Sequence, residues 1–222
     1  MQNRSTAVMN RRAEPHDSLD FFPTPPWATR ALCGWLDRRC QLDVRTVWEP
    51  ACGAGDMARP LGEFFQDVLA SDVHDYGFGR VDDFLLPGAR GWAGRPQWII
   101  TNPPFRLAEE FVARACEAAE EGVAVLVRTS FLESVGRYRD LFSRNPPSWV
   151  LQFTERVPMH KGRLTATGST ATAYCWLVWI KGEPGVRFDW LGPGPQPHHR
   201  PGDHPPFPPG GEPRASKTRT QV

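Results

Sequence analysis

Apolar positions along this chain switch between two periods. Ala28, Ala31, Leu32 and Trp35 recur at the three-and-four spacing of one helical face, and the prolines of Asp20-Phe21-Phe22-Pro23-Thr24-Pro25-Pro26 give that helix a rigid lead-in. Short apolar runs follow over 46–49, 68–72, 97–101, 123–127, 149–153 and 173–180, each of strand length. A further short strand is expected around Asp82-Asp83-Phe84-Leu85. Helices are predicted from the turn after residue 55 through about Phe65, over 107–121 on the face Leu107, Phe111, Ala115 and Ala118, and over 133–142. Strands alternating with helices predict an α/β fold around a mostly parallel sheet. Residues 1–18 are polar and aperiodic and read as a disordered arm; from residue 183 to 222 Pro, Gly and His dominate, which reads as a disordered tail. One domain is therefore expected over 19–182, with removal of the tail leaving it intact.

The run Gln97-Trp98-Ile99-Ile100-Thr101 stops at Asn102-Pro103-Pro104-Phe105. Two prolines hold the backbone extended and remove the N–H groups that would continue a ladder, so an amide and a ring project past the strand's end. In an open α/β sheet ligands sit in the crevice outside those ends. Two decoys test the motif: Asn145-Pro146-Pro147 precedes an apolar run and lacks the ring, and Pro205-Pro206-Phe207 sits in the polar tail.

Earlier in the chain, Glu49-Pro50-Ala51-Cys52-Gly53-Ala54-Gly55 forms a tight small-residue turn between a strand and a helix. Glycine is needed where the backbone bends sharply and where a ligand approaches it closely. Asp72 ends the next strand at the distance from this turn at which a carboxylate bonds ribose hydroxyls. Glu49 selects among nucleoside cofactors. A carboxylate repels the pyrophosphate of a dinucleotide, whereas S-adenosylmethionine has no phosphate and carries an ammonium and a sulfonium.

Composition narrows the class without naming a partner. A chain of 222 residues, 40% hydrophobic and 23% charged, suits one globular domain, and a net charge of +1 means that any basic surface must be local. The candidate for such a surface is the loop 154–170, where Arg156, Lys161 and Arg163 lie among hydroxyls, the inventory of phosphate contacts; a solvated hairpin loop is the alternative reading. The five cysteines have no C-x-x-C spacing and read as reduced core residues, and the tail histidines lack companion ligands, so no metal site is expected. No apolar run reaches the roughly 18 residues of a membrane span, and no signal peptide is recognisable; a cytoplasmic protein without membrane contact is expected.

With these four segments in order, the chain from about Asp20 to Lys181 resembles the class I S-adenosylmethionine-dependent amino-methyltransferases, specifically small phage- or prophage-type DNA adenine methyltransferases with the motif order called gamma. The resemblance implies a Rossmann-like, seven-stranded sheet whose last strand is antiparallel beside the fifth, with helices on both faces. It implies Phe22, Thr24 and Pro25 over the cofactor's methionine part, Glu49, Ala51, Gly53 and Gly55 as the cofactor turn, Asp72 at the ribose, and Asp83 and Phe84 at the adenine. Asn102, Pro103, Pro104 and Phe105 are implied as the catalytic tetrapeptide, with Asn102 also beside the cofactor. The expected reaction is methyl transfer to the amino group of a flipped base, adenine N6 in DNA first. An RNA base, a protein glutamine and a non-catalytic adenosine-binding module stand as alternatives. The chain departs from the gamma pattern in having no separate C-terminal recognition domain.

Overall fold

The computed structural model describes residues 20–88, 90–165, 170–192 and 198–203; the expected arm at 1–18 and residues 204–222 of the expected tail lie outside them. Eight strands form one sheet: β1 (Thr46–Glu49), β2 (Asp67–Asp72), β3 (Arg80–Val81), β4 (Trp98–Thr101), β5 (Gly122–Arg128), β6 (Trp149–Phe153), β7 (Tyr174–Ile180) and β8 (Arg187–Leu191), in the order β3-β2-β1-β4-β5-β7-β6-β8. Of the eight, β7 alone is reversed, lying antiparallel between β5 and β6. The helices are α1 (Pro26–Asp37), α2 (Ala58–Leu61), α3 (Arg90–Ala93), α4 (Ala108–Ala118) and α5 (Val135–Arg137).

Period-two alternation divides the strands between two cores. Val47, Trp98, Ile100, Leu126, Leu151 and Trp176 face α1, while Trp48, Ile99, Val125, Val127, Cys175 and Leu177 join the residues of α4. Pro26 opens α1, and Leu32, Trp35 and Leu36 are almost fully buried along it, each contributing roughly 1.5–3 kcal/mol from apolar area removed from water. Trp35 meets Trp149 edge to face at 5.1 Å. Chain order reverses between β1, which leads outward to β2 and β3, and β4, which leads the other way to β5. This switch point puts the carboxyl ends of β1 and β4 side by side.

Three expectations need correction. The sheet has eight strands because β8 adds parallel to β6, so the domain does not end at 182. The strand is short and alternates Arg187, Phe188, Asp189 and Trp190 between Gly- and Pro-rich flanks, and tertiary partners hold it: Trp35 Nε1 donates to Asp189 Oδ2 at 2.8 Å. Farther on, the buried Arg30 guanidinium grips Asp203 (2.7 and 2.8 Å) and the His198 carbonyl (2.7 Å) while also pairing with Glu63 (2.6 Å). Second, the third strand is Arg80–Val81 and Phe84 follows it in a turn. Third, the helices expected through Phe65 and over 133–142 are short. The first stops at Leu61, and the second is one turn, Val135–Arg137, that widens into a π-turn at Tyr138–Phe142.

Candidate active site

At the end of β4 the Asn102 side chain is held by the proline-stiffened segment that precedes α1. Its Nδ2 donates to the Phe22 carbonyl at 2.9 Å and to Thr24 Oγ1 at 3.0 Å, with Met159 Sδ at 3.8 Å. A carbonyl oxygen can only accept, so the amide nitrogen must face Phe22 and the orientation of the group is determined. Asn102 Oδ1 is left buried with no hydrogen-bond partner. The other end of the tetrapeptide is held by the same segment: the Phe105 N–H donates to Asp20 Oδ2 at 2.7 Å. Pro23 and Pro25 keep this segment extended, which leaves the Phe22 carbonyl and the Thr24 hydroxyl free to reach the amide.

The glycine turn lies across the same cavity. Gly53 and Gly55 have φ of +50° and +84°, the left-handed region, and a Cβ on Gly53 would stand 2.5 Å from the Phe21 ring. Asp72 secures the turn, its Oδ2 accepting from the Gly53 N–H at 2.9 Å and its Oδ1 from the His74 N–H at 3.0 Å. Glu49, at the tip of β1, is 2% exposed, and its Oε2 has no partner. Burial pushes its carboxyl well above the usual carboxylate range, and the charges of Asp56 and Asp72 push it further, against one opposing bond from the Ala58 N–H. Asp56 is also raised by burial. With Asp20 and Asp83, five carboxyl groups thus line one cavity, which favours a cationic occupant.

Most of the predicted cofactor residues line that cavity. Phe22, Thr24, Glu49, Ala51, Gly53, Asp72, Asp83, Phe84 and Asn102 all do so, with Pro104 beside them. Phe84 is also a core residue, packed edge to face on Trp48 at 5.0 Å. Pro25 and Gly55 do not line it: the Pro25 carbonyl accepts from the Ala28 N–H at the start of α1, and Gly55 lies under the Phe78 ring. Pro103 and Phe105 face a neighbouring hollow, shared with Arg128, Phe131 and Arg137. Asp20, Phe21, Asp56 and Tyr76 line the main cavity without having been singled out from the sequence. Tyr76 stacks on Phe21 at 4.7 Å, and burial, with help from Asp72, raises its phenol to about 12. Asp56 follows Gly55 directly, the one signal by which the sequence could have offered it.

The three predicted cations lie on the loop after β6, and all are exposed. The loop itself is docked. Val157 and Met159 are buried, and the Gly162 N–H donates to the Phe21 carbonyl at 2.8 Å. Arg156 Nη1 reaches the Ala171 carbonyl at 3.2 Å. Among the described residues no group of three His, Cys, Asp or Glu side chains could hold a metal ion, and no helix is long and apolar enough to cross a membrane.

No protein-family profile and no curated protein matches this sequence. Solved structures do match. The chain is similar to a modification subunit of a putative type I restriction enzyme from Vibrio vulnificus, with 15% identity, a TM-score of 0.55, and 77% of this chain and 47% of that one covered. It is similar to the methyltransferase subunit of a type I restriction-modification system from Streptococcus thermophilus, with 9% identity, a TM-score of 0.59, and 76% and 47% covered. A putative RNA methyltransferase from Pyrococcus horikoshii matches at 16% identity and a TM-score of 0.56, with 76% and 91% covered. The chain thus spans about half the length of the two restriction-modification subunits. At these identities the likeness is one of architecture: the protein has the Rossmann-like α/β fold of the class I S-adenosylmethionine-dependent methyltransferases, here with a mixed sheet of eight strands.

Proposed function

We propose that this protein is an S-adenosylmethionine-dependent methyltransferase acting on the exocyclic amino group of a flipped base, adenine N6 in DNA being the substrate that its residues suit best. The observation that carries the reading is the Asn102 amide: both donors engaged or shielded, its oxygen desolvated and without a partner. Leaving a buried acceptor unmade costs about 1–3 kcal/mol, an expense accounted for if a substrate donor completes it. The cavity suits the cofactor, since an ammonium and a sulfonium would favour the ionised forms of Glu49 and Asp56 that burial opposes, and Asp72 can accept from ribose hydroxyls.

When bound, S-adenosylmethionine supplies an electrophilic methyl group. The chain's own residues prepare the amine. Its lone pair is delocalised into the ring; Asn102 Oδ1 and the Pro103 carbonyl accept its two hydrogens and favour a tetrahedral nitrogen on which positive charge develops. One of those protons leaves to water afterwards. A base inside a duplex cannot reach this corner and must be flipped at a cost of a few kcal/mol, which Phe105 offsets by stacking worth roughly 1–3 kcal/mol. Arg156, Lys161 and Arg163 supply phosphate contacts.

The test is incubation with tritiated S-adenosylmethionine and, separately, duplex DNA, single-stranded DNA, RNA and protein extract, comparing wild type with Asn102→Ala. Label is expected in DNA adenine, with transfer slowed roughly 10²–10³-fold in the variant. Label confined to RNA or to glutamine would move the substrate assignment to those alternatives, and no transfer to any acceptor would leave a non-catalytic adenosine-binding module.

A further inference from the structure

β5 ends at Arg128, directly opposite Tyr174 across the antiparallel ladder with β7. The Arg128 guanidinium lies 3.9 Å from the centre of the Phe105 ring. It also hydrogen-bonds the Tyr174 side chain, while its Nε is buried without a partner. Arg128 differs in this from the arginine beside it. Arg137 faces the same hollow and stacks on Phe131 at 4.0 Å, but its charge is met by Glu109 at 2.9 Å; among the described residues Arg128 has no ion-pair partner. A half-buried guanidinium on an aromatic face, with its Nε donor unmade, is held by cation–π attraction and one hydrogen bond.

The ring it covers is the proposed stacking platform. Phe105 has Phe22 at 5.0 Å, tilted 47°, and the Phe22 backbone is tied to the site by its carbonyl, which accepts from Asn102 Nδ2. Arg128 is the long flexible group on the ring, planar like a base and at stacking distance. Once displaced, its fork geometry and uncompensated charge match a phosphate.

We propose that Arg128 plugs the target-base slot, lying on Phe105 in the ligand-free protein and moving to a phosphate of the flipped nucleotide when the base enters. The inference rests on Phe105 being the base platform of the proposed reaction. Displacing the plug sets back binding of any planar neutral ligand, whereas the charge helps binding of a polyanion. Removal of Arg128 must then act in opposite directions on the two.

The test measures fluorescence quenching of 2-aminopurine riboside, which carries no phosphate, with the cofactor cavity saturated by S-adenosylhomocysteine. In parallel, a mixed-sequence DNA duplex is titrated at several salt concentrations. Arg128→Ala should tighten riboside binding by roughly threefold or more, the scale of one cation–π contact. The same variant should lower the salt slope of duplex binding by roughly one. Arg128→Lys should keep the wild-type salt slope, which separates loss of charge from misfolding. Riboside binding that weakens or stays unchanged in Arg128→Ala overturns the plug, as does an unaltered salt slope. Phe105→Ala distinguishes the two levels of the argument. If it leaves riboside binding intact in the Arg128→Ala background, the platform itself is wrong; if it abolishes binding that Arg128→Ala had failed to improve, only the plug is.

Discussion

Thr24 Oγ1 stands 3.0 Å from the side-chain nitrogen of Asn102, 78 residues away in sequence, and with the Phe22 carbonyl it sets the direction in which the amide oxygen points. Thr24 is buried, 3% exposed, so no water substitutes for its hydroxyl. The amide is therefore positioned by a segment that lies outside the tetrapeptide.

A first prediction concerns this pair. Thr24→Val keeps the volume and removes the acceptor, and should lower kcat about tenfold, the worth of roughly one hydrogen bond, with KM for the methyl donor little changed. Thr24→Ser should recover most of the loss. Steady-state kinetics on the preferred acceptor reads this directly, and equal activity of Val and Ser variants would show that Thr24 does not orient the amide.

The second concerns Glu49. Its raised folded-state pKa means that the ligand-free protein binds more protons than the unfolded chain above the ordinary carboxylate range, so stability falls as pH rises through the window from about 4.3 up to the raised value. A cationic ligand favours the ionised form, so cofactor affinity should rise with pH over the same window. Glu49→Gln should raise the ligand-free Tm, by about 2–4 °C per kcal/mol recovered, and weaken S-adenosylmethionine roughly 10- to 100-fold. Thermal melts and calorimetry at several pH values check both; a variant with lower Tm and undiminished affinity would remove Glu49 from the site.

Gly53 is constrained twice, by a φ of +50° and by the Phe21 ring where a Cβ would go. Gly53→Ala should lose about 1–2 kcal/mol from the backbone alone and lose cofactor binding as Phe21 is pushed away. Adding Phe21→Ala relieves the clash but not the strain, so the double variant should recover only part of the Tm. Full recovery would show that the turn tolerates any residue there.

Truncation after residue 182 removes β8, the bond from Trp35 to Asp189 and the Asp203 partner of buried Arg30. A large drop in Tm is expected. Asp203→Ala alone leaves the guanidinium with Glu63 and should cost up to about 3 kcal/mol, the low end for breaking a buried pair. An unchanged Tm in both would mean that the segment past 182 adds nothing to stability.

For the loop after β6, Lys161→Ala and Arg163→Ala should each lower the salt slope of duplex binding by roughly one, similarly across DNA sequences, because each phosphate contact releases condensed counterion. Asn102→Ala should leave that slope alone. A slope unchanged in both loop variants assigns the loop's role to its buried residues Val157 and Met159.

The sequence by itself determined what depends on local patterning. Strand and helix periods predicted the mostly parallel α/β sheet, the resemblance carried by the motifs implied a reversed strand beside the fifth, and the apolar run that ends in Asn102-Pro103-Pro104-Phe105 announced a strand tip without a ladder beyond it. The turn at Gly53 was legible because only glycine takes its φ cheaply. Tertiary structure alone decided the rest. β8 exists because β6 offers an open edge and Trp35 a donor, neither visible in the composition of residues 187–191. Arg30, on a helix face that reads as core, binds a carboxylate 173 residues later. The pairing of Thr24 with Asn102, the Asp20 bond to Phe105 and the guanidinium of Arg128 on the Phe105 ring join segments far apart in the chain. No spacing rule links such residues, since their distance is set by how the proline-stiffened segment and the end of β5 pack across the sheet.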